Sequence, residues 1–208
     1  MNLLECLVGL ALSLVLVAPL IKSSGELIAK QIQYEKSQSL TAEADRALEL
    51  IGRAIRMAGY QNAHSTITSL EKNSRSGNYI QIQKNSGYRG SDSLMVKQEV
   101  SQGVDFDCIG NTLSKERTKN NLAQQGFLVD RQASAPKGLK VNGGSLICQS
   151  LDRQGRIQNT TLMNGIHHLS FEELPASARK AFKVKLEMTD GGSIHQSFER
   201  IFTTRNLR

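Results

Sequence analysis

The sequence predicts an α+β protein in which one long N-terminal helix precedes and packs on an antiparallel β-sheet head. Three patterns carry that prediction. Residues 3 to 21, LLECLVGLALSLVLVAPLI, hold a single charged side chain, Glu5, ahead of Lys22, and an apolar run of that length can cross a bilayer as a helix. From Glu26 to Gly59 the residues Leu27, Ile28, Ile32, Leu40, Ala44, Ala47, Leu48, Ile51, Ile55 and Ala58 recur on helical spacing, marking one face of an amphipathic helix. Late in the chain Phe182, Val184, Leu186 and Met188 alternate with Lys183, Lys185 and Glu187, the period of a strand with one buried face.

The first segment makes a demand of its own. A carboxylate inside an apolar helix costs on the order of a few kcal/mol if unpaired near mid-membrane, so Glu5 requires a cationic partner. A cleavable signal peptide would start with basic residues and end at a small-residue cleavage site, and neither is present in this run. A plain anchor explains the apolarity and leaves Glu5 without a role. Pro19 removes a helical hydrogen bond and Gly25 loosens the backbone, so a kink or soft point is expected there. Gly59 is a natural stop. At ~1.5 Å per residue a helix ending there would reach roughly 87 Å. The resulting division is 1–25 for the transmembrane or filament-core segment, 26–59 for a stalk packed on the head, and 60–208 for the β-rich head.

Residues 61 to 78 are polar and turn-rich and read as a surface loop. Strand patterns follow at Tyr79–Gln83, Asp92–Lys97, Gly126–Asp130 and Ser145–Cys148, then at Phe182–Met188. Ile194–Phe202 pairs with the last of these across an Asp190-Gly191-Gly192 turn. The polar stretches Asn111 to Gln125 and Arg131 to Gly144 are expected to be mobile connections.

Composition narrows the function. The chain has 208 residues, a net charge of +7 and a pI near 9.5, with 5% aromatic residues and no Trp. Base-stacking platforms are therefore poorly supplied. Lys115, Arg117 and Lys119, and Lys183 and Lys185 with Arg179 and Lys180 nearby, form two basic groups that could make weak, sequence-independent phosphate contacts; a solvated face is the plainer reading. No G-x-S-x-G, H-E-x-x-H or phosphate-binding glycine loop is present, so neither catalysis nor a cofactor is expected. His167 and His168 are adjacent, and strand neighbours point to opposite faces, so they are not expected to grip a metal together. Cys6 reads as a small apolar side chain within the span. Cys108 and Cys148 lack the companion ligands of a zinc site.

A family resemblance joins these observations. Asn2-Leu3-Leu4-Glu5-Cys6-Leu7-Val8 resembles the T-L-x-E start of processed type IV pilins and pseudopilins. Ala54-Ile55-Arg56-Met57-Ala58-Gly59-Tyr60 is similar to the I-R-x-A-G-Y stretch closing the stalk of PilW-type minor pilins. Asp105-Phe106-Asp107-Cys108-Ile109-Gly110, Leu146-Ile147-Cys148, Leu162-Met163-Asn164-Gly165-Ile166 with Leu169-Ser170-Phe171, Leu174-Pro175-Ala176 and Thr204-Arg205-Asn206 resemble further segments of that family.

The resemblance implies the type IV pilin fold and a non-catalytic assembly role. A prepilin peptidase would expose the Met1 amine for N-methylation, and Glu5 would pair with the N-terminal amine of a neighbour. The other minor pilins, the major pilin and an inner-membrane assembly platform would be partners. The protein would sit in the bacterial inner membrane with its head periplasmic, and then in the pilus, priming assembly and capping the tip. A head facing an oxidising compartment is expected to join Cys108 to Cys148, worth about 4 kcal/mol in the chain-entropy model. The alternatives are a J-type minor pseudopilin of type II secretion and, in another class, a tip receptor, adhesin or DNA-uptake subunit.

Overall fold

The computed structural model describes residues 3–62, 79–132, 143–175 and 179–207, and within 3–18 it leaves out the side chains of 3–6, 10, 14, 16 and 18. Met1 and the Glu5 and Cys6 side chains thus lie outside the described residues, as do Ala176 and most of the loops expected at 61–78 and 131–144. Helix α1 runs Leu3–Met57. Its assignment continues through Pro19 and Gly25. The Ser23 and Ser24 hydroxyls donate to the Leu20 carbonyl, at 3.0 and 2.8 Å. Among the described residues no helix is long and apolar enough to cross a membrane.

The helix ends where its carbonyls and amides find new partners. Arg56 places positive charge in the last turn, favourable at the C-terminus of the helix dipole. Gly59 takes φ +70°, the left-handed turn that glycine adopts without strain. Its N–H then donates to Lys97 O at 3.0 Å, which hands the chain from helix to sheet.

The chain divides into two compact units, Met1–Ser39 and Leu40–Arg208. In the first unit the described apolar side chains are exposed, among them Leu20 at 64%, Leu27 at 67% and Ile28 at 59%. The second unit has its own core. Leu40, Ala44, Ala47, Leu48, Ile51, Ala54, Ile55 and Ala58 are all buried, so the apolar stripe of the final helical turns is consumed there. Burying side chains such as Leu48, Ile51 and Ile55 contributes about 1.5–3 kcal/mol each.

Opposite that stripe lies one seven-stranded antiparallel sheet in simple meander order β1 to β7. The strands are β1 Ile80–Gln83, β2 Ser93–Glu99, β3 Leu122–Arg131, β4 Gly144–Leu151, β5 Ile157–Leu174, β6 Ala181–Thr189 and β7 His195–Thr203. The alternation in β6 buries Phe182, Val184, Leu186 and Met188, and β6 pairs with β7 from Ala181↔Thr203 to Thr189↔His195 across the glycine turn. At Gly52 the helix approaches β7 so closely that a Cβ would overlap the Phe202 ring. A larger residue there would force the two elements apart.

Two expectations need correction, and one strand was not anticipated. Residues 111–125 are organised: they hold a 3-10 turn at Lys115–Arg117, an isolated bridge at Thr112, and the start of β3. The longest strand, the 18-residue β5, interrupts its own alternation with Gly165 at φ +80° and a register shift between Ile166 and His168. That bulge leaves His167 and His168 both half-buried between buried Ile166 and Leu169, and both act electrostatically on Glu187. They share Glu187's side of the sheet, because a bulge puts two residues where regular pleating allows one.

Candidate functional site

The most elaborated surface structure lies between β2 and β3, where residues 101–113 form a compact loop tied to the sheet. Asp107 organises its turn. One carboxylate oxygen accepts from the Ile109 and Asn111 backbone N–H groups at 3.0 and 2.7 Å, and the other from Asn111 Nδ2 at 3.2 Å. Short polar side chains do this because they reach their own backbone two to four residues on. Phe106 bridges Thr112, and Leu113 N–H donates to Asp105 O at 2.8 Å. The turn presents Cys108 to Cys148 on β4, and the two are joined in a disulfide with Cα atoms 6.1 Å apart, 40 positions apart in sequence. Cys148 is fully buried in the core, so the loop is anchored at the centre of the sheet.

Two side chains on this loop stand out in the opposite sense. Val104 is 70% exposed and Phe106 42% exposed, and Phe106 shares a wall with Arg53 and Met57 near the end of α1. Beside Phe106 a small cavity of about 10 Å³ is lined by Arg53, Met57, Gln98, Asp105 and Gln125 as well.

The basic residues are not brought together. Lys115 and Lys119 are exposed, while Arg117 is half-buried and donates to Leu151 O at 3.2 Å. Lys183 Nζ pairs with Glu172 on β5 at 2.8 Å and approaches Glu199 on β7 at 3.9 Å. The hydrogen bond with Glu172 raises the Lys183 pKa and lowers that of Glu172. Lys185 pairs with Glu187 at 2.7 Å, and Lys180 with Glu173 at 3.2 Å. Leu151 faces Ile157 at the start of β5, and Lys183 faces Glu172 near its end. At ~3.3 Å per residue that leaves roughly 50 Å of strand between the two groups. The first is therefore a local cluster, and in the second each lysine already has a carboxylate.

Sequence reading missed the polar tie at Asp92. This residue is 4% exposed, and its carboxylate accepts from Lys84 Nζ at 2.8 Å, Phe171 N–H at 2.9 Å and Asn85 N–H at 3.1 Å. Lys84 Nζ also donates to Phe171 O. Burial pushes the Asp92 pKa up, but the bonds from Lys84, Phe171 and Asn85 outweigh it and hold the carboxyl below its ordinary 3.8. With Ser91 Oγ accepting from Leu169 N–H at 3.2 Å, this tie joins the β1–β2 connection to β5 across the curled sheet. An isolated aspartate before a strand carries no signal of that role.

Near the bulge Arg89 Nη1 lies 2.9 Å from His167 Nδ1, and the rings of His167 and His195 meet edge to face at 5.4 Å. Among the described residues no group of three or more His, Cys, Asp or Glu side chains is placed to hold a metal. No family model matches this chain, no curated protein is similar to it, and no solved structure matches its fold.

Proposed function

We propose that this chain is a minor type IV pilin of PilW type, a non-catalytic subunit that joins other minor pilins to prime pilus assembly and sits at the tip. One observation carries the reading. A single helix, Leu3–Met57, buries its apolar face where it meets the sheet and leaves its N-terminal apolar residues exposed. Exposed apolar surface of that extent marks an interaction site with membrane or protein. In this reading the first unit lies in the inner membrane before assembly and among neighbouring helices afterwards. Glu5 pairs with a neighbour's N-terminal amine, which offsets the cost of its burial. The Cys108–Cys148 disulfide holds the head loop in an oxidising compartment.

The test is co-assembly. Glu5→Ala abolishes recovery of the subunit with sheared pili and with the other minor pilins, while leaving its amount in the membrane unchanged. Equal recovery of both proteins would remove the assembly role from Glu5.

A further inference from the structure

Two loops far apart in sequence meet at one corner of the head, and each brings positive charge. Arg117, in the 3-10 turn before β3, donates to Leu151 O at the end of β4 at 3.2 Å. In the β4–β5 hairpin Gly155 turns at φ +71°, and a Cβ there would lie 3.2 Å from Thr118 O. Lys119 follows Thr118, Lys115 precedes it by one helical turn, and Arg153 comes just before Gly155 in the hairpin. At ~3.3–3.6 Å per residue the backbones of all three fall within roughly 10 Å of that contact.

Most of this charge is left over. Lys115, Lys119 and Arg153 are exposed and form no ion pair among the described residues. Arg156 is held by Asp152, which accepts from its Nε at 2.9 Å and its N–H at 2.8 Å. Besides Asp152, Glu116 is the one carboxylate within 114–121 and 152–157. On β6, by contrast, Lys183 and Lys185 each have a carboxylate at hydrogen-bond distance. Lys119 and Leu122 exchange backbone hydrogen bonds at 2.9 and 3.1 Å across Asn120 and Asn121, whose φ values are 54° and 61°. That two-residue hairpin connection puts two exposed asparagines, further hydrogen-bond donors, beside the cations.

The composition of the corner selects among anions. Neither loop carries an aromatic residue, so unpaired bases would find nothing to stack on. Ile157 is the one exposed apolar side chain, far short of the apolar face that holds a protein on a lipid surface. Lysine, arginine and amide donors without either are the set that contacts duplex phosphates without reading sequence. At one charge per ~1.7 Å of axis, a duplex lays about a dozen phosphates across a surface roughly 20 Å wide.

We propose that this corner binds double-helical nucleic acid through its phosphates, with Lys115, Lys119 and Arg153 as the principal contacts and Arg117 tying the two loops together. The surface belongs to the head alone, and its role does not depend on the pilin reading.

The test is fluorescence anisotropy of a labelled random-sequence duplex of about 24 base pairs, titrated with the full chain in uncharged detergent micelles between about 50 and 200 mM NaCl. Log affinity falls against log salt with a slope near −3, about −0.9 for each of three phosphate contacts. Lys115→Ala, Lys119→Ala and Arg153→Ala combined weaken binding at least about tenfold and flatten that slope, and Arg153→Ala alone reduces it by about one. Lys183→Ala with Lys185→Ala binds as the unaltered chain does. On the unaltered chain, unlabelled duplex displaces the probe better than single-stranded DNA, poly-glutamate or phosphatidylglycerol vesicles at equal charge, a comparison that stands even if a variant does not fold. No binding at the lowest salt, a triple variant that binds as tightly as the unaltered chain, or any of these competitors matching the duplex would each overturn the proposal.

Discussion

The two units share a helix and differ in what their apolar residues have found. Leu48, Ile51 and Ile55 are at most 1% exposed, whereas Leu27 and Ile28 are 67% and 59% exposed. Side chains of the same size and class occur in both stretches, so intrinsic helix propensity does not distinguish them. The difference is a partner. The sheet covers the stripe after Leu40, and nothing described in this chain covers the stripe before it. A stretch that is apolar, helical and uncovered invites a partner outside the chain, and that is where the assembly reading places its weight.

The largest expected effect breaks the comparison directly. Ile51→Ala removes a fully buried side chain and should cost about 2–5 kcal/mol; Ile28→Ala should stay within about 0.5 kcal/mol. Denaturant unfolding followed by a probe in the head measures both. Equal losses would mean that the first unit contributes to the stability of the second.

Next comes the staple. Cys108→Ser with Cys148→Ser should lower head stability by about 2–5 kcal/mol, as expected for a native disulfide closing a loop of this size. Reduction of the unaltered protein should produce the same shift in unfolding midpoint.

Smaller is the polar tie. Asp92→Asn should cost about 1–3 kcal/mol by weakening three hydrogen bonds to a buried acceptor. The pH dependence has a definite sign. The Asp92 pKa is lower folded than unfolded, so its contribution is fully present above 3.8 and is lost as pH falls through the folded value. The variant should flatten that acid limb of the stability profile measured by thermal unfolding.

The smallest effect is expected at the basic face. Lys183→Ala breaks an exposed cross-strand pair and should leave the unfolding midpoint within the scatter of repeat scans. It should also leave retention on a nucleic-acid column unchanged. A clear drop in retention would restore the phosphate-binding reading for β6.

Legibility followed periodicity. The helix stripe from Leu40 to Ala58 and the alternation of β6 could be read because each repeats over enough residues to fix a face, and the helix does end beside Gly59. β5 was hidden because Gly165 and the bulge at His167 break its period, and its polar Asn159, Thr160 and Thr161 offer no apolar alternation. The Cys108–Cys148 pair could be named because few alternatives exist. Buried polar partnerships could not, since they exist only among neighbours that the fold brings together. Asp92 was invisible for the same reason: its donors Lys84 and Phe171 lie on either side of it in sequence, the second of them far away.

The central claim is that the N-terminal helix enters the pilin pathway, and the most direct measurement is the intact mass and N-terminal residue of the protein from its native membrane, with and without prepilin peptidase. The account predicts an N-methylated Met1 that depends on the peptidase. An unmethylated or formylated start, unchanged by loss of the peptidase, would contradict it and take the role of Glu5 with it.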